Sequence, residues 1–372
     1  MKRFIIFLIA FIAIPVCVYA QETNDYEEYL SGYDFSFFKE ELGNETYDFL
    51  KEIGVEDFDF NSISSLSFED SLNILKEIIS GKIKSPMKSA VSILAFILLS
   101  SLFRSIKADS SEDLNGVYST CSALIISVIL VAQMSPAISL ASSSIKLAGN
   151  FIFAFVPVFC AIVASSGGIT TSFSTNSMLM ILSQGLTFIS ANVFTPLANC
   201  FLAIGICSSL RSELNLGGLI STMKKWITSL ISVISALFVS ILSIKTNVSA
   251  RADMLGIRSV RFVINSVVPI IGGSISEGLL SIQNYSSLIK SSVGIVGIIA
   301  IALVFLPAII EISLWRFMLS VCSLVSEMFG DNNVSDAINA FKETSLIINV
   351  VLILSMVTTV ISFGILIATR SS

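Results

Sequence analysis

The sequence contains no histidine, and charged residues make up only 13% of its 372 positions. The absence of histidine removes the commonest metal ligand and the commonest general base. The low share of charge excludes a soluble globular protein of this length, because the surface of such a protein must face water. The six cysteines form no CxxC pair and lie in apolar or membrane-adjacent stretches, which indicates small buried thiols.

Long uncharged runs fill most of the chain instead, and 54% of its residues are hydrophobic. Several runs approach the roughly 20 residues that cross a bilayer as a helix. The strands of a membrane barrel would alternate in polarity and give a much weaker signal. The sequence therefore predicts an all-α polytopic membrane protein.

The first 20 residues are typical of a secretory signal peptide. Two basic residues precede an apolar core, and small residues stand where a signal peptidase cuts. We expect cleavage between Ala20 and Gln21; an uncleaved first helix is the alternative.

Acidic charge is concentrated directly after this segment. Residues 21–80 hold 16 of the 27 acidic residues and three of the 22 basic ones. This asymmetry predicts an acidic exported domain at 21–88, with a flexible acidic spacer as the alternative. Basic cytoplasmic loops should then follow in the membrane part.

Two plain spans are predicted within 89–135, at about 89–103 and 117–134, and Ser135-Pro136 ends the second. The rest of the chain divides into two similar units, 136–244 and 245–372, and in the second unit an amphipathic region at 314–341 is interrupted at 330–333, Gly-Asp-Asn-Asn. Each unit has a Val-Pro segment, a Gly-Gly pair, a polar bridge and an apolar run that contains a second proline. The two prolines are 39 residues apart in the first unit and 38 apart in the second. The candidate helix breaks or close-packing positions are Pro157, Pro196, Pro269, Gly272, Gly273 and Pro307.

The number of spans depends on whether the Val-Pro segments cross the membrane. A re-entrant second segment gives seven spans after the signal peptide, which we favour. A crossing segment gives eight, with inverted repeats of the kind found in transporters. In both cases irregular backbone would have to be packed in protein or face water.

Charged residues in the second unit suggest two local roles. A basic connection at its start contains Lys245, Arg251, Arg258 and Arg261 against the single acid Asp253, and predicts a cytoplasmic loop. Arg251 and Arg258 would fall nearly in line on a helix, and a docking stripe for anionic lipid or an acidic partner is the alternative. Glu311 is a candidate membrane acid. Because Arg316 follows five residues later, we expect an acid paired at the interface, with Trp315 and Arg316 as an interface anchor.

The sequence shows no nucleophile with a base, no Walker loop and no cluster with metal-ligand spacing. We therefore expect no enzymatic activity, no cofactor and no metal.

The most specific pattern runs from 245 to 316. It contains TNVSARADMLGIRSVRFVINSVVPIIGGSISEGL and then LIKSSVGIVGIIAIALVFLPAIIEISLWR. A basic lead, a Val-Pro-Ile-Ile-Gly-Gly core, a Val-Gly-Ile-Val-Gly start and a Leu-Pro pair follow one another in this order. With the signal peptide and exported region, this layout resembles the stage III sporulation protein AE family of endospore-forming bacteria.

The resemblance implies a multi-pass protein of the mother-cell membrane around the forespore, with its N-terminal domain outside the cytoplasm. It implies a non-enzymatic subunit of a channel or secretion-like complex that links the two cells. Implied partners are a cytoplasmic ATPase, ring-forming membrane proteins, a forespore-side protein and membrane lipid, but not nucleic acid. The alternative is a self-contained secondary transporter or permease built from repeated units.

Overall fold

Six helices form the part of the chain that the computed structural model describes, which is residues 78–106, 112–165, 168–189, 216–267 and 272–368 with a few isolated positions. They are α1 (Lys84–Ile106), α2 (Glu112–Ser165), α3 (Ile169–Phe188), α4 (Leu216–Val267), α5 (Gly272–Met328) and α6 (Asn332–Ala368). The predicted signal peptide, its cleavage site at Ala20 and Gln21 and nearly all of the acidic domain lie outside these residues.

Five helical stretches within the described residues are long and apolar enough to cross a membrane. They are Ile78–Phe103, Val117–Ala164, Lys225–Ser259, Gly297–Met328 and Asn332–Ile365. The expected all-α class with several candidate spans is thereby confirmed. The count of seven spans stays a prediction, since the first 75 residues and much of 190–215 lie outside the described part.

Three prolines that were expected to interrupt the helices lie inside continuous helices. α2 passes through Pro136 and Pro157, and α5 passes through Pro307. The expected span end at Pro136 is corrected, and of the two alternatives given for Pro157 and Pro307 the structure shows no helix break at either position. A proline removes one backbone hydrogen bond and crowds one carbonyl, and a long apolar helix can continue when its neighbours and local adjustments compensate for that loss.

Of the remaining candidate breaks, the Gly-Gly pair of the second unit lies at a helix start. Gly272 and Gly273 are the first residues of α5, and α3 begins directly after Gly168. Pro196 is an exposed helical position, and Pro269 lies outside the described residues. A helix therefore begins at the Gly-Gly pair of each proposed unit, while the duplication itself stays a prediction.

The region expected to form an amphipathic stretch, a span and a basic loop is one helix, α4. Lys245, Arg251, Arg258 and Arg261 thus belong to a helix, and the expectation that they lie on the cytoplasmic side stays a prediction. Residues 219–267 contain no proline and a single glycine, so the sequence holds no strong helix breaker there. The polar bridge expected at 274–290 is likewise helical and forms the first turns of α5.

Contacts between helix ends give the direction of each helix in the bundle. Ser119 of α2 bonds Asp331 just before α6, and Phe155 of α2 contacts Phe363 of α6. α2 and α6 therefore run in the same direction, and α5 returns antiparallel between them. α3 runs back along α2, because Ser183 donates a hydrogen bond to the carbonyl of Gly149.

Aromatic side chains fill the core where α2, α5 and α6 meet. Phe151, Phe155 and Phe159 stack along α2 with ring centroids 5.2 Å and 5.9 Å apart. The ring of Phe363 lies 5.5 Å from that of Phe155. All four rings are buried, so this cluster joins the end of α2 to the end of α6.

Candidate functional site

The membrane acid Glu311 lies near the middle of its candidate span and is 8% exposed. Its Oε2 is 3.6 Å from Nζ of Lys82, which lies just before α1. The acid is therefore paired, but with Lys82 and not with the expected Arg316. A residue five positions along a helix is rotated by about 140°, which turns Arg316 away from Glu311. The position of Glu311 relative to the membrane interface stays a prediction.

Trp315 is part of the core rather than an interface anchor, since only 1% of its surface is exposed. Its neighbour Arg316 is partly buried and is attracted by Glu343 of α6. The adjacent tryptophan and arginine suggested a membrane interface in the sequence, but α5 and α6 enclose both in the bundle. The expected anchor is therefore corrected to a packing residue and an interhelical charge contact.

The connection between α5 and α6 is a tight turn built on Gly330, which has a φ of 72°. The N–H of Asp331 bonds the carbonyl of Ser326 at 3.1 Å, and the N–H of Gly330 bonds that of Glu327 at 3.0 Å. These two bonds form a Schellman motif, which closes the end of α5. The sequence had indicated an interruption here, and the structure confirms it.

Asp331 then begins α6 and links the turn to α2. One carboxylate oxygen, Oδ1, accepts hydrogen bonds from the N–H of Val334 at 3.4 Å and from Ser119 Oγ at 2.6 Å. The first is an N-cap contact within α6, and the second reaches across the bundle. A single side chain thus caps one helix and holds another against it.

A polar network joins the facing sides of α5 and α6 above this turn. Ser323 donates to Oδ1 of Asn339 at 3.0 Å, and Ser335 donates to Oε1 of Glu327 at 3.0 Å. Lys342 also donates to Oδ1 of Asn339. Because these partners alternate between the two helices, the network fixes how α5 and α6 are aligned along their length.

Asp253 of α4 caps a different helix, α3. Its Oδ1 accepts from the N–H of Thr170 and its Oδ2 from the N–H of Thr171, both at 2.8 Å. The residue at the N-cap position of α3 is Gly168, which has no side chain to supply this contact. The sequence had presented Asp253 as a lone acid in a basic stretch, and the structure shows it turned inward with a specific partner.

The basic residues of α4 point the other way. Lys245, Arg251 and Arg258 are exposed, and Arg261 is in the last turns of the same helix. Arg251 and Arg258 are seven residues apart and share one face. The structure therefore brings these two together on the outside and leaves them apart from Glu311 and the polar network.

Two glycines of the Val-Gly-Ile-Val-Gly motif permit close helix contact. A Cβ at Gly297 would lie 2.9 Å from ring atoms of Phe155 and 3.2 Å from Phe363. A Cβ at Gly294 would overlap the side chain of Ile367. The motif that carried the family resemblance thus lies where α5 crosses the aromatic cluster. Small residues are common at such close contacts between membrane helices.

In the part of the chain that the structure describes, no three His, Cys, Asp or Glu residues come together in a cluster that could hold a metal ion. Cys160 and Cys322 are buried as expected, whereas Cys121, Cys200 and Cys207 are exposed. The described polar groups serve helix caps, helix alignment and ion pairs. Asp253, Ser119 and Gly297 were missed as contact residues, because their partners lie far away in the sequence.

Comparison with known proteins identifies the family. The sequence pattern of stage III sporulation protein AE matches residues 55–370. The chain belongs to the stage III sporulation protein AE family. The match includes every described contact above, from Lys82 to Ile367.

A curated relative of the stage III sporulation protein AE family comes from Bacillus subtilis (strain 168). That protein, "Stage III sporulation protein AE", is 21% identical to this chain over 222 residues. The aligned part covers 59% of this chain and 55% of the relative, so it spans about half of the relative's length. No solved structure matches this member of the family.

Proposed function

We propose that the protein is a non-enzymatic membrane subunit of the sporulation channel, a secretion-like complex that links mother cell and forespore. The observation that carries this proposal is the family match over residues 55–370, on a bundle with five candidate spans. The subunit would lie in the mother-cell membrane around the forespore. Its partners would be a cytoplasmic ATPase, ring-forming membrane proteins and a forespore-side protein.

The described contacts support a scaffold role within such a complex. Glu311, Asp253 and Asp331 each have a partner on another helix or just outside one. Charged groups of this kind in membrane helices commonly mark either a transport pathway or a structural pair. Here their partners hold α1, α2, α3 and α4 in the bundle, which suits a rigid element of an assembly.

Deletion of the gene in the native spore-forming organism tests the sporulation role. We expect normal vegetative growth, completed engulfment and then arrest, with loss of heat-resistant spores and of late forespore gene expression. A wild-type copy should restore all three. Unchanged spore yield in the deletion strain would contradict the proposal.

Reconstitution separates a channel subunit from a self-contained permease. The purified protein is placed alone in sealed lipid vesicles, and uptake of radiolabelled metabolites is measured. If the protein is a channel subunit that needs its partners, solute uptake should equal the background leak measured in protein-free vesicles. Saturable uptake of one solute by the protein alone would favour a permease instead.

A further inference from the structure

The exposed face of α2 changes its chemical character along the helix. Near the start of the helix its exposed large side chains are apolar, among them Val117 and Val128, and near the end Phe153 is exposed. Between 137 and 150 every exposed position is polar, and Ser135 precedes them by one turn. These residues, which we call the polar face of α2, are Ser135, Ser139, Ser143, Lys146 and Asn150.

The spacing of these residues places them on one side of the helix. Successive members are three or four positions apart, which is the repeat of an α-helix face. From Ser135 to Asn150 the face extends about 22 Å, most of the roughly 30 Å thickness of a bilayer's hydrocarbon. The whole face lies inside the candidate span Val117–Ala164, whose 48 residues are more than twice what a crossing needs, so its level in the membrane has to come from the neighbouring helices.

Packing shows what lies beside the polar face. Phe155, just over one turn beyond Asn150, contacts Phe363 of α6 and faces Gly297 of α5. At about 1.5 Å rise per residue, the polar face lies beside about 343–358 of α6 and 302–317 of α5. Most positions of 302–315 are buried, and that stretch is almost wholly apolar. The polar face therefore lies at a largely buried level of the bundle, where Glu311 and Arg316 are the charged residues of α5.

α4 presents the opposite chemistry at the same level. Ile227 of α4 packs against the small cluster that contains Ile347 of α6. From there α4 shows a mostly apolar face, with Ser229 and Ser240 as its exposed hydroxyl residues, and residues 226–244 contain no charge. Its exposed large side chains at this level are Trp226, Leu230, Val233, Ile234 and Leu237.

The bundle thus has a polar side, formed by α2, and an apolar side at the same level, formed by α4. Lipid covers an apolar face such as that of α4 at no cost. A single serine in lipid can bond the carbonyl one turn back, as Ser240 of α4 does with Ala236, but a continuous face of hydroxyl, amide and ammonium groups keeps hydrogen-bonding capacity that lipid does not satisfy. Lys146 could extend toward a membrane surface, yet three serines and an asparagine on the same face could not. A polar surface that extends over four helical turns is therefore more stable in contact with water than in contact with lipid.

We propose that the polar face of α2 lines a water-filled path at the level of the bilayer, while α4 faces lipid. This inference rests on the proposed function, since the path would be this subunit's share of the channel. The positive charge of Lys146 would lie within that path. The other exposed positions between 137 and 150 are neutral, which suits passage of hydrated solutes.

Single-cysteine labelling in native membranes tests the proposal. The six cysteines of the full chain are replaced by serine, and one cysteine is introduced at Ser139, Ser143, Val233 or Leu237. Membranes from sporulating cells are opened by freeze–thaw and treated with a sulfonated, membrane-impermeant maleimide. Ser144→Cys is the matched control on α2, because Ser144 is buried although it adjoins Ser143.

We expect the two cysteines on the polar face to react about tenfold or more faster than those on α4 and at 144, because the reagent needs water. Equal rates at Ser143→Cys and Val233→Cys would overturn the proposal, since that level would then lie outside the bilayer. Protection at every position would overturn it as well, because protein or lipid would then cover the face. Each variant is first checked for restoration of spore formation.

The labelling result and the sporulation phenotype can fail separately. If the polar face reacts from water but deletion of the gene leaves spore formation unchanged, the water-filled path is supported and the proposed function is rejected. Developmental arrest on deletion, together with a protected polar face, would reject only this inference.

Discussion

The carboxylate of Asp253 in α4 accepts a 2.8 Å hydrogen bond from the backbone N–H of Thr171 in α3. Its second oxygen accepts from Thr170, so one side chain satisfies two of the free N–H groups at the start of α3. α4 has a largely bare apolar face. This buried contact is therefore a specific link between α4 and the hairpin of α2 and α3.

Replacing Asp253 by alanine should destabilise the protein by about 1–3 kcal/mol, because one buried and one partly buried N–H group lose their acceptor. Asp253→Asn retains one acceptor oxygen and should lose less. Thermal unfolding in detergent, followed by circular dichroism, measures the difference. Arg251→Ala is the control on the exposed side of the same helix, and an equal effect of the two alanine variants would contradict the capping role.

The pair of Lys82 and Glu311 should show strong coupling. Lys82→Met leaves a buried carboxylate unpaired and should cost about 1–3 kcal/mol, less than a fully buried pair because Lys82 is partly exposed. The double variant Lys82→Met with Glu311→Leu should recover most of the loss. Chemical denaturation of all four proteins gives the coupling energy, and additive effects would show that the contact contributes nothing.

Gly297 should not tolerate a side chain. Gly297→Ala places a methyl group 2.9 Å from Phe155 and should cost about 1–3 kcal/mol through overpacking. Phe155→Leu, made in addition, should restore part of the stability. Gly364→Ala is the matched control, since nothing lies within 4 Å of its added Cβ. The Gly364→Ala variant should keep the stability of the wild type or gain up to about 1 kcal/mol, because alanine has the higher helix propensity.

Gly330 should be sensitive for a different reason, its backbone conformation. With a φ of 72°, Gly330→Ala should cost about 1–2 kcal/mol, and Gly330→Asn should cost less because asparagine enters the left-handed region more readily. Gly81→Ala, at an exposed helical position, is the control. Equal changes in melting temperature for Gly330→Ala and Gly81→Ala would contradict the role of the turn.

Local patterns in the sequence predicted the helix class, the approximate extent of α1 and the interruption at Gly330. These features depend on runs of apolar residues and on turn chemistry, which neighbouring residues determine. The family resemblance between 245 and 316 was also correct, and its motif includes glycines at which α5 closely approaches the aromatic cluster. Each of these signals lies within a short stretch of chain.

Prolines and ion pairs were predicted less well. Pro136, Pro157 and Pro307 have the local chemistry of a helix end, but packing along a long helix outweighs the loss of one hydrogen bond. Arg316 is close to Glu311 in sequence, yet helix geometry separates them and the fold supplies Lys82. Such partners follow from the three-dimensional arrangement, which hydropathy does not encode.

The bond between Ser119 and Asp331 has a consequence for biogenesis. Its two residues are separated by 212 positions. At a typical rate of about 5–20 residues per second, a ribosome needs roughly 10 to 40 s to synthesise the intervening chain. During that time the first hairpin, α1 and α2, must wait in the membrane without the helices that later cover it. Assembly of this bundle is therefore completed only when its last hairpin has left the insertion machinery.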